Sequence, residues 1–160
     1  MVKEVGSGIS AETFIKLVET GIQAVDVGGS GGTSWSIIEG LRGSPASLRL
    51  GELFRGWGLR TEQSLIECVS EKARLRVTTD LVATGGIRDG IQAAKAVAIG
   101  ASLVGIGLPL FRAAASKNSS RAAVEAVVDE LRFLENSLRI ALFCSGARNL
   151  AGISSKLRPF

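Results

Sequence analysis

Trp35 and Glu39 stand four positions apart, the spacing that brings an indole and a carboxylate onto one face of a helical turn. A carboxylate beside an indole suits proton transfer over an apolar pocket, its hold on the proton set by burial. Glu39 also stands three residues before Arg42, so a surface ion pair is the other use for the same charge. Lys3 is a second residue with chemistry to offer, inside the run "VKEV" at 2 to 5. In a strand, Lys3 and Val5 share one face while Val2 and Glu4 share the other, and a lysine on an inward face needs an anion or an acceptor edge. An exposed strand end would leave it solvated instead.

Three glycine-rich loops extend the list. "DVGGSGGTSW" (26 to 35) packs four glycines between an apolar run and Trp35, a composition that lets something come close to the backbone. "TGGIRDG" (84 to 90) places two glycines and Arg88 just ahead of a helix predicted to start near Asp89, and "GIGLP" (105 to 109) repeats the arrangement with Pro109 suited to a first helical turn. Backbone N–H groups at such helix starts favour phosphate, and Arg88 adds charge. The same two loops read equally as tight turns whose glycines permit positive φ.

What the chain lacks narrows the chemistry. It has no histidine, which removes the commonest general base, the usual zinc ligand and any Ser-His-Asp arrangement. Cys68 and Cys144 are too few and too far apart for a disulfide framework or zinc cluster; both fall in apolar helical patterns and are expected as buried free thiols. No metal ligands are expected here. No run of 18 apolar residues occurs and no basic-then-apolar leader opens the chain, so a soluble cytoplasmic protein without membrane contact is expected. A net charge of +4 over 160 residues does not call for nucleic acid. Acidic residues stop at Glu135, leaving Arg139, Arg148, Lys156 and Arg158 as the charges of the remaining residues. That is a solvated basic end, or one that steers an anionic ligand.

These residues need elements to position them. Apolar runs at 2 to 5, 24 to 27, 81 to 86 and 103 to 107 alternate with helical patterns at Ser10 to Thr20, Thr61 to Glu71 and Asp89 to Ile99, the order of β/α units around a parallel sheet. "GIQAVDVG" (21 to 28) and "GASLVGIG" (100 to 107) share one form, Gly, three residues, Val, two residues, Gly, so two strand ends are built alike. Residues 121 to 145 read as one amphipathic helix striped by Val124, Val127, Leu131, Leu134 and Leu138, with a further short helix in "CSGARNLAGI". Residues 113 to 120 read as a loop after a helical turn, and 40 to 58, with five glycines and a proline, as a long functional loop. With 46% hydrophobic residues, the chain is long enough to bury a core. The fold class is therefore α/β, of the TIM (β/α)8 barrel type, with about four β/α units and a terminal helix. A whole barrel takes about 250 residues, so the rest is expected from another chain, a second copy or further sequence. Residues 1 to 112 would be the half-barrel and 113 to 160 a helical extension packed on it.

"VKEVGSGIS", the loop "GGSGGTSW" with "IIE" after it, Phe54 with Trp57 and Gly58, and "TGGIRDGIQAAKAVAIGASLVGIGLP" together resemble the C-terminal half of the type 2 isopentenyl-diphosphate isomerase family. The resemblance runs through nearly the whole chain, to the "CSGAR" at 144 to 148. Its lysine strand and "GGxGGTxW" loop are the specific parts; "GGIR" and "GIGLP" are shared by many FMN barrels. It implies an FMN barrel that interconverts isopentenyl and dimethylallyl diphosphate. It implies that Lys3 contacts the flavin ring, that Gly28 and Thr33 line the cofactor, and that Gly85, Gly86, Ile87 and Arg88 with Gly107 and Leu108 hold its phosphate through backbone N–H groups. Trp35 and Glu39 match positions near the substrate, the glutamate as an acid/base candidate. In that family the flavin works reduced, so NADPH or another reductant is implied, and the net reaction is redox-neutral: the terminal alkene is protonated and a neighbouring proton is lost.

Several members carry serine where Gly28 stands. The family's Mg2+-binding glutamate, its glutamine acid/base candidate and its basic diphosphate ligands belong to the N-terminal half, so Mg2+ ligands are expected outside these residues. This chain alone is expected to bind FMN weakly if at all and to show no isomerase turnover, and to need that half or a second copy, as a homo-oligomer. An FMN-dependent 2-hydroxy-acid oxidase resembles the chain less in the opening loop and uses a histidine base. An inosine-monophosphate dehydrogenase barrel uses a loop cysteine, where Cys68 and Cys144 do not fall. A self-associating half-barrel without activity is the non-enzyme alternative.

Overall fold

Side-chain caps start most of the helices. The Ser10 hydroxyl accepts from the Thr13 amide at 3.3 Å and opens α1 (Ala11–Glu19), as the spacing predicts. Ser44 does the same for Ser47 at 3.2 Å, Asp89 for Gln92 at 2.8 Å and Ser119 for Ala122 at 3.3 Å. The computed structural model describes residues 1–157, and Arg158 of the basic end lies outside the described residues. By density of contacts the chain forms two compact units, one from Met1 to Gly86 and one from Ile87 onward.

The first unit runs β1 (Val2–Lys3), α1, β2 (Ala24–Asp26), α2 (Trp35–Arg42), α3 (Pro45–Leu53), α4 (Thr61–Leu75) and β3 (Asp80–Ala83). Its strands are parallel, with β2 in the middle: Val25 lies opposite Val2 on one side and Leu81 on the other, and Asp26 opposite Lys3 and Val82. Because side chains alternate along a strand, Val25, Val27, Leu81 and Ala83 share one side. They are fully buried, as are Phe14 of α1 and Leu65 and Cys68 of α4. Helix α4 packs on both α1 and β3. The Ser64 hydroxyl ties α4 to the loop before α1, donating to the Ile9 carbonyl at 2.7 Å and accepting from the Ile9 amide at 2.8 Å. Helix α4 extends past the expected Glu71 and ends on Arg76 in the left-handed region, φ 54°.

Residues 40 to 58 are not a long loop. Helix α2 reaches Arg42, Ser44 caps α3, and Pro45 occupies the first turn, where its missing N–H costs nothing. The glycines that read as loop residues are packing residues: Gly40 and Gly51 face each other where α2 crosses α3, and a Cβ on Gly51 would strike the Ser36 carbonyl.

The second unit contains α5 (Gly90–Ile99), β4 (Leu103–Val104), α6 (Leu108–Ala115), α7 (Ser120–Ser145) and two single 3-10 turns, at Leu150–Gly152 and Ser154–Lys156. Helix α5 is rich in alanine and lies close on α7, where a Cβ on Gly90 would run into the Leu138 amide. Ala94, Ala98, Ala147 and Ile153 form its core, with Leu138 and Leu142 against them. Two expectations change here. Residues 113 to 115 belong to α6 rather than to a loop, because alanine is the best helix former. Cys144 is exposed while Cys68 is buried: the core-facing side of α7 runs through Leu134, Leu138 and Leu142, and Cys144, two residues beyond Leu142, points away from it. Among the described residues no helix is long and apolar enough to cross a membrane.

Candidate functional site

The register of the first unit puts Lys3 and Asp26 side by side at the carboxyl ends of β1 and β2. Thr84, two residues past Val82, faces the same way. The three side chains form a closed set. The Lys3 ammonium donates to Asp26 Oδ2 and to Thr84 Oγ1, each at 2.8 Å. The Thr84 hydroxyl donates to Asp26 Oδ1 at 2.7 Å, and the Gly28 amide donates to the same oxygen at 3.1 Å. The Asp26 side chain is 4% exposed and that of Lys3 47%. A buried carboxylate is stable only when paired and hydrogen-bonded, and here both of its oxygens accept from a donor. An ammonium has three donors, so Lys3 keeps one, on the exposed side.

The glycines around this set answer to backbone packing. A Cβ on Gly28, φ 44°, would collide with the Glu4 carbonyl, and one on Gly85, φ 103°, with the Gly29 carbonyl. The loops 28–32 and 84–86 interlock, with the Gly29 amide on the Thr84 carbonyl at 3.0 Å and the Thr61 hydroxyl on the Gly85 carbonyl at 2.6 Å. Backbone packing thus accounts for Gly28, and the tight-turn reading for Gly85, without a ligand, and the Gly28 amide is engaged with Asp26. Thr33 is exposed. Trp35 is half-exposed, its indole N–H donating to the Val5 carbonyl at 3.0 Å. Glu39 shares α2 with Trp35 and is exposed, paired with Arg42 at 2.9 Å; the ion-pair alternative is what the geometry holds. An open recess of about 470 Å3 lies between Ser7, Ser10, Thr13, Trp57 and Leu59, and Lys3, Trp35 and Glu39 are not among its lining residues.

In the second unit the two expected phosphate loops differ. The start of α5 is occupied by the chain's own groups: the Arg88 amide donates to Gln92 Oε1 at 2.8 Å, the Gly90 amide to Ser137 Oγ at 2.9 Å, and the Gln92 amide to Asp89 at 2.8 Å. Ile87 is buried. The start of α6 is open, since no side chain caps it, a Cβ on Gly107 would meet nothing, and Leu108 is exposed. Gln92 Oε1 on the Arg88 amide stands where an anion's oxygen would have to compete.

Asp26, Thr84 and Thr61 are the residues that sequence reasoning passed over. Asp26 did leave a signal, being a carboxylate between Val25 and Val27 in a buried run. Thr84 left none, because an end-of-strand threonine is common. Among the described residues no cluster of potential metal ligands exists.

The FMN-dependent dehydrogenase family matches residues 1–158. The isopentenyl-diphosphate delta-isomerase of Stutzerimonas stutzeri is 44% identical over 154 residues, covering 96% of this chain and 42% of its own length. Those of Bdellovibrio bacteriovorus and Pyrococcus horikoshii are 38% and 43% identical, over 98% and 92% of this chain and 43% and 38% of their own. The chain thus spans about two fifths of the curated relatives it matches. A mandelate oxidase crystal structure superposes with a TM-score of 0.65 at 22% identity, covering 96% of this chain and 36% of that one, which establishes the fold as part of a (β/α)8 barrel.

Proposed function

Since the chain belongs to the FMN-dependent dehydrogenase family, we propose that it supplies flavin-binding strands to an enzyme that interconverts isopentenyl and dimethylallyl diphosphate. The observation that carries the flavin reading is Lys3, held at the carboxyl ends of parallel strands with one donor left over, the end where barrels bind their ligands. The substrate reading is supported by relatives of 44% and 43% identity that bear the isomerase name. The absence of histidine leaves a hydroxy-acid oxidase without an imidazole base.

The residues present fit a flavin. In the first unit Lys3 offers a donor to the ring edge, with Gly28, Thr33, Gly85 and Gly86 as the surrounding wall. In the second unit Gly107 and Leu108 offer open amides to a phosphate, while Ile87 and Arg88 serve it only after Gln92 gives up the Arg88 amide. Bound and reduced, FMN supplies an electron-rich ring that steadies positive charge and handles a proton. Glu39 accepts or delivers a proton at its carboxylate once it releases Arg42. Trp35 offers an apolar face that excludes water from a cationic centre. Mg2+ for the diphosphate and NADPH or another reductant belong to the same reading, with the Mg2+ ligands outside this chain. Residues 1 to 112 act as the half-barrel and 113 to 160 as its extension. The partner is the remainder of the barrel or a second copy, in a cytoplasmic homo-oligomer.

The test is FMN titration of this chain alone and mixed with a separately produced N-terminal half of a related isomerase. Tight binding in the mixture supports the reading and leads to an assay with isopentenyl diphosphate, Mg2+ and reductant. Absence of binding in both overturns it.

A further inference from the structure

Lys3 does not present an isolated positive charge. Asp26 Oδ2 lies 2.8 Å from its ammonium, the carboxylate is buried, and its other oxygen is fixed by the Thr84 hydroxyl and the Gly28 amide. The carboxylate cannot swing away, and the pair as a unit is neutral. A lysine that binds phosphate does so as a point charge. A lysine neutralised at 2.8 Å has little field left at a distance. What remains is one N–H whose direction is set, because Asp26 and Thr84 occupy the other two. Such a donor suits a neutral or delocalised acceptor, a carbonyl oxygen or ring nitrogen, better than a phosphate.

We propose that Asp26 and Thr84 are positioning residues that make Lys3 a directional donor for the carbonyl and ring-nitrogen edge of a flavin, and that they exclude phosphate from this position. The inference rests on the flavin reading above and adds to it the residues that set the selectivity of Lys3.

The experiment uses the whole chain mixed with the separately produced N-terminal half, as wild type, Thr84→Val, Thr84→Ser and Asp26→Asn, with FMN, riboflavin and inorganic diphosphate as probes. Flavin fluorescence gives affinity, and acetylation of Lys3 relative to Lys95, read by mass spectrometry, reports on its surroundings. Riboflavin lacks the phosphate of FMN. Thr84→Val should weaken both flavins by the same factor, about five- to tenfold, the scale of the single Lys3–flavin hydrogen bond it misdirects. Thr84→Ser, which keeps the hydroxyl, should restore most of that affinity, and so separates loss of positioning from loss of folding. Diphosphate should leave Lys3 acetylation unchanged in wild type and slow it in Asp26→Asn, where the ammonium is no longer neutralised. The proposal is overturned if Thr84→Val weakens FMN but not riboflavin, if it alters neither, or if diphosphate protects Lys3 in wild type. A wild-type mixture that takes up neither flavin overturns the functional reading and this inference with it, a result distinguished by being read before any variant is made.

Discussion

On the proposed function Glu39 would have to leave Arg42 before moving a proton, and an exposed pair of that kind holds by less than about 1 kcal/mol. In the assembled enzyme, steady-state kinetics should therefore find Arg42→Ala within about threefold of wild type, with Glu39→Gln lowering kcat by about a hundredfold or more and KM changing little. Equal losses in both variants would assign Glu39 to structure. The cysteines give a second prediction at this scale. Burial pushes the Cys68 thiol up to about 12, with the nearby Glu67 carboxylate adding to the effect and the Ser64 hydroxyl opposing it. The native state then keeps a proton that the unfolded chain loses from about pH 8.5 upward. Stability is full below that pH and falls as pH rises toward 12, with a slope of at most one proton, and Cys68→Ala should flatten this limb in denaturant titrations. At pH 8 a thiol reagent should label Cys144 alone until the chain unfolds. Lys3 was legible in the sequence because a charge in an apolar run demands a partner. The partner itself was not, since the pairing of Asp26 with Lys3 depends on a register that no local pattern encodes.

At the scale of elements, caps and periodicity placed α1, α5 and α7 within a residue or two. They failed at 40 to 58, where glycine count outweighed the Ser44–Pro45 start signal. A glycine that lets two helices touch and a glycine that bends a loop are the same letter, and tertiary packing decides between them. Gly51→Ala should therefore cost about 1–3 kcal/mol by forcing α3 away from the Ser36 carbonyl, and a change below about 0.3 kcal/mol would show the crossing to be loose. Arg76 offers the opposite test. It holds a left-handed φ of 54° at the end of α4, so Arg76→Gly should raise stability by about 0.5–1 kcal/mol, measured by urea unfolding.

At the scale of the whole molecule, the alternation of apolar runs and helices made the barrel class legible, because parallel strands need crossovers. The chain's length also falls short of the about 250 residues of a closed barrel, and the chain spans about two fifths of the relatives it matches. What lay beyond sequence reasoning was the division of contacts after Gly86, a property of packing density. Large apolar side chains stand in water, with Leu53 75%, Trp57 74% and Phe143 84% exposed. The chain alone should therefore bind a hydrophobic dye and sediment as self-associated species, and adding the complementary half should suppress both. A monodisperse monomer without dye binding would contradict this. One contact restricts how the molecule can be rebuilt from related parts. Because Gly28 lies on the Glu4 carbonyl, grafting a serine onto this position alone imports a side chain into space already filled. A workable graft has to shift the Glu4 backbone along with residue 28, so the two ends of this wall can be exchanged only together.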